Sequence, residues 1–167
     1  EGKDLHHYNQ AFLFEPTRAL KADVLERALR TLLEHHDALR LRFVPDPGGW
    51  RASFAGPGDP VPLARIDVAA VQAEEQAAAV THAASELQRS LDLARGPLLR
   101  AGLFHLGTRG QRLLLVVHHL VVDAVSWGVL LEDLAAAYRQ HEAGAAPRLP
   151  AKTTSFKASA MVPPRPN

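Results

Sequence analysis

Two strongly apolar segments joined by a short polar turn constrain the fold of this chain more than any other feature. Residues 98–106, LLRAGLFHL, and residues 112–119, RLLLVVHH, each have the length and composition of a strand, and GTRGQ between them suits a tight turn. They predict an antiparallel hairpin whose second strand ends in two adjacent histidines, His118 and His119. Asp123 follows four positions later. Histidines at the end of a buried strand are compatible with packing, metal binding or catalysis, so other features have to decide.

The remaining pattern mixes helices and strands without strict alternation. Apolar residues at helical spacing predict three helices, and shorter alternating or aromatic segments predict strands near the start of the chain and in a second hairpin around PDPGG. The predicted helices cover about residues 23–36, 71–91 and 129–141, and the predicted strands cover residues 8–14, 39–44 and 50–54. This mixture predicts an α+β domain in which a mixed or antiparallel sheet packs against helices.

Composition excludes several classes of function. A chain of 167 residues with 47% hydrophobic content is expected to form one domain with a substantial core. The 19 Lys and Arg against 18 Asp and Glu leave no basic surplus for nucleic-acid binding, and the absence of cysteine excludes disulfides and thiolate chemistry. No apolar stretch approaches the roughly 18 residues of a membrane span, and no signal peptide is visible. We therefore expect a cytoplasmic protein without nucleic-acid or membrane partners.

Strand alternation predicts that His118 and His119 point in opposite directions. Such a pair would chelate one ion poorly, because both ring nitrogens would have to lie about 2.0–2.1 Å from it. With no cysteine and the other histidines scattered along the chain, no metal site is expected. One neutral imidazole projecting from the strand end can accept a proton near neutral pH, and Asp123 can pair with a cation or cap the next helix. Two buried, hydrogen-bonded histidines are the structural alternative.

The segment HHLVVDAVSW resembles the HHxxxD signature of the condensation-domain superfamily of nonribosomal peptide synthetases, whose fold is similar to that of chloramphenicol acetyltransferase. The residues after the aspartate, VSW and GVLLEDLAAAY, resemble epimerization domains more than amide-forming condensation domains. Four further segments also resemble the epimerization domains, so that the similarity covers about residues 6–160 in order: HHYNQAFLFEP, HHDALRLRF, LDLARGPLLRAGLF and LPAKTTSFKASA.

The resemblance assigns a role to each residue of the motif. It implies that His119 is catalytic or positions the substrate, that His118 is its structural neighbour, and that Asp123 forms a structural ion pair with an arginine. Alternation in LRLRFV places Arg40 and Arg42 on the same strand face. Arg40 is the first candidate for the ion pair, and Arg42 is the alternative.

The resemblance also implies the substrate and the partner. An epimerization domain inverts the Cα of an aminoacyl or peptidyl thioester carried on the phosphopantetheine of a peptidyl carrier protein, and it binds no cofactor directly. Ser126 and Trp127, which follow the motif, are candidates for the wall of the substrate channel. Ala124 departs from the family pattern, because glycine commonly follows the aspartate and alanine adds a methyl group there.

In the family, a glutamate of the following half-domain supplies the second acid or base. We expect residues 1–160 to form only the N-terminal half of such a domain, followed by a tail of non-family sequence at residues 161–167. The isolated chain is then expected to epimerize weakly or not at all, and its uncovered apolar interface to allow self-association. An amide-forming condensation domain and a non-catalytic fragment are the alternatives.

Overall fold

The computed structural model describes residues 9–56, 61 and 63–150, with only the backbone of Asp123 and Ala124. The predicted tail at residues 161–167 lies outside the described residues. The elements in chain order are β1 (Asn9–Phe14), α1 (Ala22–His35), β2 (Leu41–Asp46), β3 (Gly49–Phe54), β4 (Leu63–Asp67), α2 (Ala73–Arg89), β5 (Leu99–His105), β6 (Gln111–His118), α3 (His119–Ala124) and α4 (Trp127–Glu142).

A four-stranded mixed sheet with the strand order β1-β6-β5-β4 forms the centre of the fold. β6 pairs antiparallel with both β1 and β5, whereas β4 pairs parallel with β5. β2 and β3 form a separate antiparallel hairpin. Both predicted hairpins and the α+β class are therefore confirmed.

The sheet separates two apolar cores. Because side chains alternate across a strand, Leu113, Leu115 and Val117 of β6 join a core with α1 and α4, while Leu114 and Val116 join a core with α2. The predicted apolar face of α1 is confirmed, and its leucines are at most 7% exposed. Burial of each such leucine contributes about 1.5–3 kcal/mol, so this packing holds β6 in place between two layers of helices.

The hairpin after α1 begins later than the alternation predicted. Asp37–Arg40 form a 3₁₀ turn, and β2 starts at Leu41, so Leu39 and Arg40 lie outside the strand. Arg42, predicted on the polar face, is only 7% exposed. The prediction was wrong here because a run of alternating residues satisfies a tight turn followed by a strand as well as it satisfies a longer strand.

Two other features differ from the sequence prediction. β4 was not predicted, since its five residues follow a proline-rich loop and pair with β5, more than 30 residues further along the chain. Val129, placed by its spacing on the apolar face of the last helix, is 43% exposed, whereas Leu130, Leu134 and Tyr138 are buried as predicted. Among the described helices, none has both the length and the apolar character needed to cross a membrane.

Candidate functional site

His118 is locked in place at the end of β6. Its backbone N–H donates to the carbonyl oxygen of Leu98 at 2.9 Å, and its register partner on β1 is Asn9. The side chain is 2% exposed, and its Nδ1 accepts a hydrogen bond from the backbone N–H of Leu120 at 3.2 Å. His118 therefore caps α3, and its ring is a structural part of the β6–α3 junction.

His119 is the first residue of α3 and is exposed. The prediction that the strand continues through His119 was wrong by one residue, because the cap formed by His118 turns the backbone into a helix at that point. As expected, the two rings have different environments, since His118 is buried and His119 is exposed. The difference arises from the change from strand to helix between them and not from alternation along one strand. The arrangement presents one exposed imidazole beside a buried and hydrogen-bonded one.

The two residues proposed for the substrate channel make contacts that organise the start of α4. Ser126 is the N-cap, and its Oγ accepts a hydrogen bond from the N–H of Val129 at 3.2 Å. Trp127 donates from its indole Nε1 to Oε1 of Gln10 at 2.7 Å and packs edge-on against Phe12. These contacts connect α4 to β1, and a role in lining a channel stays a prediction for both residues.

The two candidate arginines have different surroundings. Arg40 donates from Nε to the carbonyl of Leu33 at 3.1 Å and from Nη1 to the carbonyl of Ala55 at 2.9 Å. Arg42 is buried, and its Nη1 donates to the carbonyl of Leu41 at 2.9 Å. The side chain of Asp123 lies outside the described residues, so its pairing with either arginine stays a prediction.

Gly96 is part of this site and was not identified from the sequence. A Cβ built on Gly96 would lie 2.1 Å from Cζ of Arg42, and the residue has φ +66°. The guanidinium of Arg42 therefore lies directly against the Cα of a residue in the left-handed region, which glycine adopts without strain. The segment ARGP carried a signal for a turn, but nothing in it indicated the contact with Arg42.

A cavity of about 320 Å³ opens on the face of the sheet that α1 and α4 cover, between the end of β1 and α4. Its walls are largely apolar and include Phe14, Leu115, Leu134 and Tyr138, whereas neither His118 nor His119 lines it. The exposed imidazole of His119 thus lies apart from this cavity. His119 offers an exposed imidazole, a group that can accept or donate a proton, at the first residue of α3 and directly after β6.

The mixed sheet, its helices on both faces and the histidine pair at the end of β6 define an α+β domain of the chloramphenicol acetyltransferase-like class. The condensation-domain family matches residues 2–161. The chain belongs to this family of nonribosomal peptide synthetase domains.

Curated relatives agree with this assignment. A linear gramicidin synthase from Brevibacillus parabrevis is 49% identical over 156 residues, which are 92% of this chain and 2% of that protein. Chondramide synthase from Chondromyces crocatus is 47% identical over 90% of this chain and 4% of its own length. The chain thus spans a few per cent of the length of these relatives.

Solved structures extend the similarity to the fold. The epimerization domain from the third module of tyrocidine synthetase B is 34% identical with a TM-score of 0.86, covering 95% of this chain and 36% of that one. The first condensation domain of the calcium-dependent antibiotic synthetase is 30% identical with a TM-score of 0.75, covering 87% of this chain and 35% of that one. The chain spans about a third of either structure.

Proposed function

We propose that this chain supplies the first half of an epimerization domain, in which His119 exchanges a proton with the Cα of an aminoacyl or peptidyl thioester. The observation that carries the proposal is the exposed His119 beside a His118 that is buried and hydrogen-bonded. The VSW segment after the motif and the TM-score of 0.86 with an epimerization domain support epimerization as the chemistry.

The chemistry explains why an imidazole suits this position. A thioester carbonyl acidifies the Cα proton, yet the proton remains weakly acidic, so its removal needs a placed base and stabilisation of the enolate-like oxygen. Inversion then needs a proton delivered to the opposite face of a planar carbon, which one histidine cannot easily do. We assign that step to a glutamate of a second half-domain and the substrate to the phosphopantetheine arm of a peptidyl carrier protein.

Within this mechanism, we assign the ion pair with Asp123 to Arg42 in preference to Arg40. The guanidinium of Arg40 already donates to two carbonyl oxygens, those of Leu33 and Ala55. Arg42 is the more buried of the two, and a buried charge is stable only when it is paired and hydrogen-bonded. Both arginines lie near α3, the helix that carries His119 and Asp123, because Arg40 ends the 3₁₀ turn that contacts this helix and Arg42 follows two residues later. The choice of Arg42 therefore depends on its burial and on the two carbonyl partners of Arg40.

The proposal is tested by the product that the domain makes. Residues 9–150 of this chain would replace the matching part of the tyrocidine synthetase B epimerization domain, and the hybrid would be incubated with a carrier protein loaded with an L-aminoacyl group. Chiral analysis of the released amino acid is expected to show the D form. A hybrid that is folded by circular dichroism but leaves only the L form would contradict the proposal.

Amide formation is the second candidate function, because the chain is also similar to a condensation domain with a TM-score of 0.75. His119 would then orient or deprotonate the amine that attacks a thioester. Supplying a second carrier protein loaded with an acceptor amino acid distinguishes the two functions. A new amide bond indicates condensation, and an inverted Cα without a new bond indicates epimerization.

A further inference from the structure

Three side chains able to bind a metal meet where α1 ends. His35 and His36 lie at the C-terminal end of α1, and Asp133 reaches them from α4, with one potential ligand atom of each residue within 4.8 Å of the others. His36 and Asp133 are 3% and 5% exposed, and Nε2 of His36 lies 2.6 Å from Oδ2 of Asp133. In the sequence these histidines count as scattered, because no sequence pattern connects them to Asp133, which lies 97 residues after His36.

The environment of the His35 ring is not explained by packing alone. Its ring meets the ring of His36 edge-on, with centroids 4.9 Å apart. Its Nε2 is buried and has no hydrogen-bond partner among the described residues. A buried polar nitrogen without a partner is unfavourable, and such nitrogens in native structures call for an explanation.

We propose that His35, His36 and Asp133 form a binding site for a divalent ion of the zinc class. Two imidazoles and one carboxylate suit Zn²⁺ far better than Mg²⁺ or Ca²⁺, which prefer oxygen ligands. The ion would take the buried Nε2 of His35 as a ligand, and it would bind His36 and Asp133 in place of their direct 2.6 Å contact. Three protein ligands leave a fourth position for water or another small ligand.

The geometry requires only a local adjustment. A tetrahedral ion with bonds of about 2.0 Å needs ligand atoms about 3.3 Å apart. The His36–Asp133 contact is shorter than this, at 2.6 Å, and all three potential ligand atoms lie within 4.8 Å of one another. Small side-chain rotations can therefore bring all three atoms to one ion. The bound ion would connect the end of α1 to α4. Because His36 directly precedes the 3₁₀ turn that contacts α3, the ion would also stabilise the position of this turn.

Metal titration of the purified chain tests this site. Zn²⁺ is followed by calorimetry and thermal unfolding, and Co²⁺ by its visible absorption, which reports imidazole ligation and coordination geometry. We expect one ion per chain and, at about 100 times the dissociation constant, a Tm higher by about 5–10 °C. The variants His35→Ala and His35→Phe should abolish both effects, and the second keeps an aromatic ring against His36.

Matched variants locate the ion. His82→Ala removes an exposed histidine of α2, while His119→Ala and the double change His6→Ala with His7→Ala remove the other sites that hold adjacent histidines. All three should bind the ion like the unchanged chain. No saturable binding to the unchanged chain, binding that persists in both folded His35 variants, or binding lost in any of the other variants would overturn the proposal.

Discussion

The end of β6 places two neighbouring histidines in different environments. His118 completes the strand, caps α3 and is buried, and this fixes the backbone from which the exposed His119 projects. The sequence identified both residues and the split between them. It missed the strand end by one residue, since the cap depends on a side-chain hydrogen bond that strand alternation does not encode.

The contact between Gly96 and Arg42 predicts a large effect for a single methyl group. Gly96→Ala should destabilise the chain by about 2–4 kcal/mol, because the residue has positive φ and its Cβ would displace the buried guanidinium of Arg42. Urea unfolding measures the change. Gly144→Ala is the control, since Gly144 has φ +74° with nothing within 4 Å, and it should cost only about 1–2 kcal/mol. Equal costs would mean that Arg42 moves aside freely.

A double-mutant cycle tests the choice between the two arginines. Arg42→Ala and Asp123→Asn should show a coupling energy above about 1 kcal/mol, because either change removes one member of the proposed ion pair and leaves the other without its counter-charge. Arg40→Ala and Asp123→Asn should be additive within about 0.5 kcal/mol. The free energies of unfolding of the single and double variants provide both values. Additivity for Arg42 would remove it from the proposed ion pair.

The elements that sequence analysis predicted well are those defined by local periodicity. The leucines of α1 are buried as expected, and the β5–β6 hairpin forms around its short turn, because both depend on residues close in sequence. β4 was not predicted, because it pairs with β5, which lies far along the chain. The burial of Arg42 was not predicted, because other elements of the fold cover this side chain. The long helix α2 was predicted with its ends about two residues too far out on each side.

Gln76 of α2 is a buried polar residue whose hydrogen bonds helical periodicity does not predict. It is buried, and its Nε2 donates to the carbonyl oxygens of Val68, Val71 and Leu106, at 3.1, 3.2 and 3.3 Å respectively. Gln76→Leu should therefore destabilise the chain by about 1–3 kcal/mol in urea unfolding, because buried carbonyl groups lose their donor.

Glu75→Leu introduces the same side chain at the exposed neighbouring position and serves as the control for Gln76→Leu. It should change the free energy of unfolding by no more than about 0.5 kcal/mol. A similar cost for both substitutions would show that the amide of Gln76 does not hold the start of α2 to the turn after β5.

For the molecule as a whole, the sequence was sufficient for the fold class and for the family, because the HHxxxD segment and its companions occur in order along the chain. It could not bring together groups that only the tertiary structure unites, such as His35, His36 and Asp133. The predicted boundary at residue 160 falls outside the described residues, and the half-domain organisation stays a prediction.

We expect the isolated chain to self-associate through the outer strand of its sheet. β1 lies at the end of the strand order, and Phe12 and Leu13 are 47% and 52% exposed. An edge strand with exposed apolar side chains favours pairing with another molecule, and a charge on it opposes such pairing. Leu13→Glu should lower the average mass in sedimentation velocity, whereas Ala146→Glu, which adds the same charge to the loop after α4, should not. Equal association of both variants would exclude β1 as the contact.

The exchange of the Cα hydrogen tests the role of His119 most directly. The hybrid domain would be incubated in deuterated buffer with an aminoacyl carrier protein, and the rate of deuterium entry at Cα would be followed by mass spectrometry. His119→Ala should lower this rate by about 10²- to 10⁴-fold with an unchanged Tm, and His82→Ala should leave it unaltered. Exchange that continues at the original rate in a folded His119→Ala variant would contradict the assignment of His119 as the group that moves the proton.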